Sequence, residues 1–511
     1  MGGYKVKNLT ISILFIILLA STCFAHNPRG YIEYKDGKKI VRVHGTHYER
    51  GYAQGYLLGD EIIEIFSDYF LEYIFGNNAA IYNNTYYYFE QQFVVDDEFV
   101  TESEGILAGI TAGGNSLYNT VLGRDVDVTD ILLCNSIVDI ADKRGQFLEN
   151  ELCSSIASWG TSTINSPELL GESIITRFLD WTPHQTLMDN HVIIVSIPEE
   201  TDEQAWISFT FPGLFGCLSG INEAGVGSFY NVGNINTYNP ADTFNPIFLS
   251  IRKGIESLDY DASGTCSPTD IVHAVSDDVQ KTGSIMNVIS STSQDTFSLV
   301  IECNNTNGVT VRTEADNTII PGDNLVATNH FRKLYPPTAC YRYSNIADSL
   351  NNSTVINPER SWTLLSGAAG TYSNIQVIQY IPWSGKILWS TKTGSNAAYK
   401  EPPTSFTATE LFEYVSIDVP EIPNQEMIVQ KIYPLPIFNE LSITLYSRER
   451  SMLSVNIFDV KGRLIKQKNL LIEVGNNTLL IPFDNEITSG IYFISFSGKT
   501  DLQTRKILVV R

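Results

Sequence analysis

The spacing of hydrophobic positions changes along this chain, and each change marks a boundary. Residues 11–20 (ISILFIILLA) form an apolar run broken only by Ser12, preceded by Lys5 and Lys7 and followed by Cys23-Phe24-Ala25. The run is shorter than the about 20 residues a spanning helix needs, and it closes on a small residue. Residues 1–25 therefore read as a signal peptide. Over residues 45–75 the period becomes helical. Tyr48, Tyr52 and Tyr56 recur at a spacing of four, and Ile62, Ile65, Phe66 and Phe70 continue the stripe. Residues 100–114 and 128–141 repeat that habit, so residues 26–152 are predicted to be a mainly helical pro-region.

From Cys153 short β-branched and aromatic runs take over, bounded by Gly, Pro and Asn: SSIASWGTST, ESIITRFLDW, HVIIVSIP, AWISFTF, GVGSFYNV and DTFSLVIEC. Helical stretches at 247–258, 268–279 and 339–350 interleave with them, and strands return at 375–381 and 386–390. Residues 153–415 are thus predicted to form sheets packed against helix layers, an α+β or layered architecture. Residues 416–427 read as a linker. Residues 428–511 alternate apolar with polar between turns such as Val460-Lys461-Gly462, the pattern of a small all-β sandwich.

Charge narrows the partners. With 34 Lys+Arg against 57 Asp+Glu the net charge is −23 at pH 7. That surplus repels phosphate, so nucleic acid is not an expected partner. Of 7 cysteines, Cys23 leaves with the signal peptide; the rest are scattered without a C-x-x-C pair, too sparse for a disulfide framework or a metal finger. His44-x-x-His47 lacks the H-E-x-x-H context. No metal and no organic cofactor is indicated, and oligomeric state is not encoded in any pattern. The G-x-S-x-G of serine hydrolases and the C-G-S-C-W of papain-like proteases are both missing.

Cys153 opens the first strand run. A hairpin ending in Thr176-Arg177-Phe178-Leu179-Asp180-Trp181 would return Arg177 and Asp180 to its start, where a guanidinium favours a thiolate. On these residues alone a small buried hydrophobe is as good a description of Cys153.

The order Cys153-Ser154-Ser155-Ile156-Ala157-Ser158-Trp159-Gly160, Gly171, then Arg177-Phe178-Leu179-Asp180-Trp181 resembles the N-terminal-nucleophile (Ntn) cysteine hydrolases. Within them it is most similar to the penicillin acyltransferase (acyl-coenzyme A:6-aminopenicillanic-acid acyltransferase) peptidase family, with choloylglycine hydrolases more distant. Tyr48-Glu49-Arg50-Gly51-Tyr52-Ala53-Gln54-Gly55, Ser219-Gly220-Ile221-Asn222-Glu223-Ala224-Gly225-Val226-Gly227 and Ala327-Thr328-Asn329-His330-Phe331 agree, so the likeness spans residues 40–395. The resemblance implies a four-layer αββα sandwich and a secreted precursor that cuts itself between Leu152 and Cys153. The freed α-amine, with an ordinary pKa of about 7.7–8.0, would then serve as base for its own thiol. Amide (C–N) bonds of a small-molecule or peptide substrate would be opened by hydrolysis or acyl transfer through a Cys153 thioester. Arg177 and Asp180 would tune the thiol, Asn231 and Asn329 would bind the oxyanion, and Arg342 would be a further active-site arginine. Asn222-Glu223-Ala224-Gly225 is expected to be a hairpin turn. Two positions depart from the family: Phe178 replaces its usual Asn, an expected loss of a polar contact near the site, and Leu152 replaces Gly. The alternatives are a catalytically inactive cell-surface binding protein on the same scaffold, or a choloylglycine-hydrolase-like or phospholipase-B-like lipid amidase or esterase.

The last module carries Tyr433-Pro434-Leu435-Pro436, Ile457-Phe458-Asp459 through Gly462, Ser489-Gly490-Ile491-Tyr492-Phe493 and a basic ending from Arg505 to Arg511. This set resembles the sorting domain of the type IX secretion system, with Leu435 in place of the usual Asn. It implies the type IX machinery as a partner and a protein secreted or attached to the outer cell surface.

Overall fold

The computed structural model describes residues 28–140, 142, 153–368 and 372–413. In the C-terminal part it describes residues 427–433, 437, 440–447, 450–459, 461–473, 475–483, 487–497 and 502–509. The signal-peptide segment, Leu152 and nearly all of residues 416–427 lie outside these. The chain divides into two compact units, Met1–Tyr414 and Val415–Arg511.

The first unit is built on two sheets. The larger has nine strands in the spatial order Gly30–Lys35, Lys38–Gly45, Val192–Pro198, Trp206–Thr210, Ser219–Asn222, Gly227–Val232, Ser284–Ile289, Ser298–Asn304, Gly308–Arg312. The smaller has six, in the order Asn324–Ala327, Ser154–Ser158, Ile174–Asp180, Asn374–Ile381, Lys386–Thr391, Thr404–Thr407. Side-chain alternation then fixes the layers. Ala157, Ile175 and Ile378 of the small sheet meet Ile207, Phe229 and Ile285 of the large one in a shared inner core. The opposite face of the large sheet, with Trp206, Tyr230 and Met286, packs on Phe66, Ile106 and Ile251 of helices. The outer face of the small sheet, with Ile156, Phe178 and Val377, packs on Ile346, Leu350 and Leu365 of two further helices. Helix, sheet, sheet, helix is the result.

The N-terminal section is largely helical, with helices His47–Glu64, Ala79–Gln92, Asp97–Ala112 and Val128–Asn135 and the π-helix Ile65–Ile74. It is not purely so. Gly30–Lys35 and Lys38–Gly45 form a hairpin, and the second strand pairs in parallel with Val192–Pro198, making this section part of the large sheet. The turn is Asp36-Gly37, both residues at positive φ, the geometry that an Asp-Gly hairpin demands. Helices His47–Glu64 and Asp97–Ala112 meet through glycines. A Cβ at Gly55 would run into the Ile106 carbonyl, and one at Gly109 into the Tyr52 carbonyl. The backbones touch where side chains would normally intervene.

The same two helices hold a buried ionic cluster. His47 lies between Glu102 and Glu203, each 2.8 Å away, Arg252 bonds Glu102 at 2.7 Å and Glu256 at 2.6 Å, and Arg50 bonds Glu203 at 2.9 Å. It ties the N-terminal helices to helix Ile247–Glu256, and its carboxylates hold the His47 proton up to about 9 against the desolvation that opposes it.

The second unit has a three-stranded sheet (Met427–Tyr433, Glu440–Ser447, Gly475–Pro482) and a four-stranded one (Leu464–Ile472, Ser451–Asp459, Gly490–Ser497, Leu502–Val509). Leu441, Ile443 and Leu445 of the first share a core with Val455, Ile457 and Ile494 of the second.

Candidate active site

Cys153 precedes the strand Ser154–Ser158, which lies between two antiparallel neighbours. On one side Ser154 pairs with Phe178 and Ser155 with Arg177. On the other, Ser155 pairs with Ala327. Both neighbours therefore reach Cys153 with the residues that follow, Leu179-Asp180 from one and Thr328-Asn329 from the other. The cysteine is 1% exposed, and Arg177 and Asp180 are fully buried.

Each polar part of Cys153 is engaged. Its N–H donates to Asn329 Oδ1 at 2.7 Å. Its carbonyl accepts from Arg342 Nη1, and Arg342 also donates to Ser154 Oγ at 2.8 Å and Asn329 Oδ1 at 2.7 Å. The sulfur lies 3.9 Å from Arg177 Nη2. Burial pushes the thiol pKa up; Arg177 and Arg342 pull it down, the charge of Asp180 opposes them, and the Asp180 N–H directed at the sulfur assists.

Two of these residues cross to the large sheet. Arg177 Nη2 donates to the Tyr230 carbonyl at 2.6 Å, and Asn329 Nδ2 to the Val232 carbonyl at 2.8 Å. Asn231 lies between those anchors, fully buried, with neither Nδ2 nor Oδ1 in a hydrogen bond. Sequence reasoning expected both asparagines to face an oxyanion. The hydrogen bonds engage Asn329 with the cysteine nitrogen and a main-chain carbonyl, and leave the Asn231 amide open.

Asn374 was not anticipated from the sequence. Its Nδ2 donates to Asp180 Oδ1 at 2.9 Å while its oxygen accepts from the Tyr399 N–H at 3.0 Å, which fixes the aspartate. Only strand register could have found it, since Asn374 pairs with Asp180 from nearly 200 residues away. The expectation for Phe178 is corrected. Its ring stacks on Tyr399 at 5.8 Å and meets Trp362 edge-on at 6.0 Å, in the outer core. An asparagine there would face the helix layer and not Cys153.

Beyond Asp180 the strand leads into an apolar pocket of about 80 Å³, lined by Leu179, Trp181, Ile62, Phe66, Tyr69, Leu214 and Phe248 among others. Trp181 Nε1 donates to Tyr69 Oη at 2.6 Å. The loop at 211–216 forms one wall. Gln54 accepts from the Gly213 N–H, and Asn135 accepts from those of Phe215 and Gly216, each at 2.9 Å. Residues from before and after Cys153 thus shape the same cavity.

Among the described residues two groups of histidine and carboxylate side chains come close enough to hold a cation. His47, Glu203 and Glu256 form one, within the arginine-paired cluster described above. Asp259, Asp261 and Asp270 form the other, with oxygens within 4.8 Å of one another. With Ser263 and Gly264 these three carry the ligand spacing of a twelve-residue calcium loop. Their oxygens accept from the loop's own N–H groups, Asp259 from Ser263 and Gly264, Asp270 from Tyr260 and Ser267.

Residues 431–510 match the family described as the secretion system C-terminal sorting domain. The chain therefore ends in a type IX secretion sorting domain, and the protein is secreted or attached to the cell surface. Among the described residues no helix is long and apolar enough to cross a membrane. The chain is 23% identical over 198 residues to protein dcd1B of Dictyostelium discoideum, covering 36% of either chain. It spans about a third of that relative's length. Among solved structures it is similar to the N-acylethanolamine-hydrolyzing acid amidase ortholog of Caenorhabditis elegans, with 17% identity, 45% of this chain and 93% of that one covered, and a TM-score of 0.33. It is also similar to the conjugated bile acid hydrolase of Clostridium perfringens, with 11% identity, 50% and 93% covered, and a TM-score of 0.31.

Proposed function

We propose that this protein is a self-processing N-terminal-nucleophile cysteine hydrolase or acyltransferase that opens amide bonds through a thioester on Cys153. One observation carries the reading. The nitrogen, the carbonyl oxygen and the sulfur of Cys153 are each held by a different buried polar residue: Asn329, Arg342 and Arg177. Any buried main-chain N–H and carbonyl needs a partner, but a cysteine that only fills space has no use for a buried guanidinium beside its sulfur.

In the precursor the thiol attacks the Leu152 carbonyl, the peptide nitrogen leaves as the new α-amine, and water releases the thioester. That amine has an ordinary pKa of about 7.7–8.0, so a fraction is neutral at pH 7 and takes the proton of its own thiol. Asn329, already bonded to this nitrogen, keeps it oriented. Arg177 and the Asp180 N–H offset the desolvation of the thiolate. When sulfur adds to a substrate carbonyl, the Asn231 amide donates to the oxyanion, a contact worth about 2.7–4 kcal/mol. The Cys153 ammonium returns its proton to the departing amine. Water, or a second amine, then opens the thioester. The pocket behind Leu179 and Trp181 takes the apolar part of the acyl group.

The test replaces Cys153 by alanine and by serine and follows hydrolysis of a panel of acyl anilides, with alkylation of the processed wild type mapped by peptide mass. The reading requires turnover to vanish in Cys153→Ala and the label to fall on Cys153. Turnover at the wild-type rate in Cys153→Ala would refute it.

A further inference from the structure

We propose that Gln376 is a specificity-determining residue, which recognises a hydrogen-bonding substituent on the acyl group near the bond that breaks. The inference deepens the assignment of Cys153 as nucleophile and rests on it. Gln376 is fully buried in the strand Asn374–Ile381, and neither its Nε2 nor its Oε1 has a hydrogen-bond partner. Ile378 and Tyr380, which follow it at the strand period of two, lie in the inner core, whereas Val377 and Ile381 lie in the outer one. By that alternation the carboxamide is on the inner face of the small sheet, the face that Cys153 and Leu179 take in their own strands, where those two pack in the cluster around the apolar pocket.

Register supplies the distance. Gln376 pairs with Leu179, and Leu179 follows Phe178, the partner of Ser154. Cys153, Leu179 and Gln376 therefore form a row across three adjacent strands. With about 4.5–5.5 Å between paired Cα atoms, the Gln376 Cα stands roughly 10 Å from that of Cys153. Leu179, between them, lines the apolar pocket. Polar atoms of Arg177 and Asn231 on this inner face are also unpaired, while the neighbouring amides of Asn374 and Asn329 are fully committed.

A buried carboxamide left unpaired destabilises a fold, and one kept beside a nucleophile is matched by a group on the ligand. Because the carboxamide both donates and accepts, a hydroxyl or a secondary amide is its complement. A carboxylate or an ammonium would satisfy only half of it. Placed beside Leu179, it reads the acyl side, within a few bonds of the scissile carbonyl. The substrate class is an apolar acyl chain bearing a hydroxyl or amide substituent close to its carbonyl carbon.

The experiment uses the processed full-length protein, wild type and Gln376→Met, which keeps length and removes polarity. Octanoate and 3-hydroxyoctanoate are titrated and binding is followed by tryptophan fluorescence, which needs no turnover. The proposal requires the hydroxy acid to bind at least about tenfold tighter in the wild type, with the ratio falling near one in Gln376→Met. It also requires the variant to melt higher than the wild type, because an unpaired polar group has been removed. Equal binding of the two acids by the wild type, a preference that survives in Gln376→Met, or a lowered melting temperature each overturns it. Loss of the nucleophile assignment would show separately, as amide turnover persisting in Cys153→Ala.

Discussion

Replacing Asn231 by leucine should move stability and catalysis in opposite directions. The side chain is fully buried with both polar atoms unpaired, although Tyr230 and Val232 on either side accept hydrogen bonds from Arg177 and Asn329. An unsatisfied buried amide costs about 1–3 kcal/mol, and leucine reproduces its branching and heavy-atom count without its polarity. The first unit should therefore melt roughly 2–6 °C higher. On the proposed mechanism catalysis loses its oxyanion donor, which should lower kcat by about 10²–10³. KM should hardly change, since the contact forms only in the transition state. Differential scanning fluorimetry and steady-state anilide kinetics on one preparation read both numbers. A lower melting temperature, or a kcat within about threefold of wild type, would refute the reasoning.

Arg177→Leu removes the leading influence that pulls the Cys153 thiol down, so alkylation of processed protein should need higher pH; an unshifted rate–pH profile would contradict this. His47 holds its proton more tightly folded, to about 9, than at its ordinary 6.5, so its ionic stabilisation is complete below 6.5 and disappears as pH climbs through about 9. Melting temperature measured across that window should fall in the wild type and stay flatter in His47→Gln. Gly55→Ala drives a methyl into the Ile106 carbonyl and should cost about 1–3 kcal/mol as the two helices part, visible as a lower denaturation midpoint. Phe178→Asn strips a buried aromatic from Tyr399 and Trp362, costing about 3–5 kcal/mol in chemical denaturation, while the folded fraction retains its kcat.

How much was legible depended on whether the determinant was local. The hairpin that returns Arg177 to Cys153 could be read from adjacent strand runs, and Ser155 does pair with Arg177. The inner and outer faces of the same hairpin were harder. Phe178 alternates away from Arg177, which is why its replacement of Asn matters for packing and not for the site. The strands at 30–45 were missed although Asp36-Gly37 between alternating runs is a hairpin signal, because the tyrosine-rich helix beyond them dominated the reading. The glycines at positions 51, 55, 105 and 109 look like weak helix formers until two helices are placed in contact, where they become the condition for that contact. Asn374 and Gln376 carried no signal, since their significance comes from pairing with Asp180 and Leu179 far away in sequence. The open amide of Asn231 differs from the committed amide of Asn329 only through hydrogen bonds that no sequence pattern records.

The central claim is that Cys153 becomes a chain terminus with a free amine beside its thiol. Intact mass and N-terminal sequencing of the mature, amide-cleaving protein test it most directly. The account predicts a polypeptide that begins at Cys153, and its absence from Cys153→Ala. An active preparation in which a peptide spanning Leu152-Cys153 is recovered uncut would contradict it.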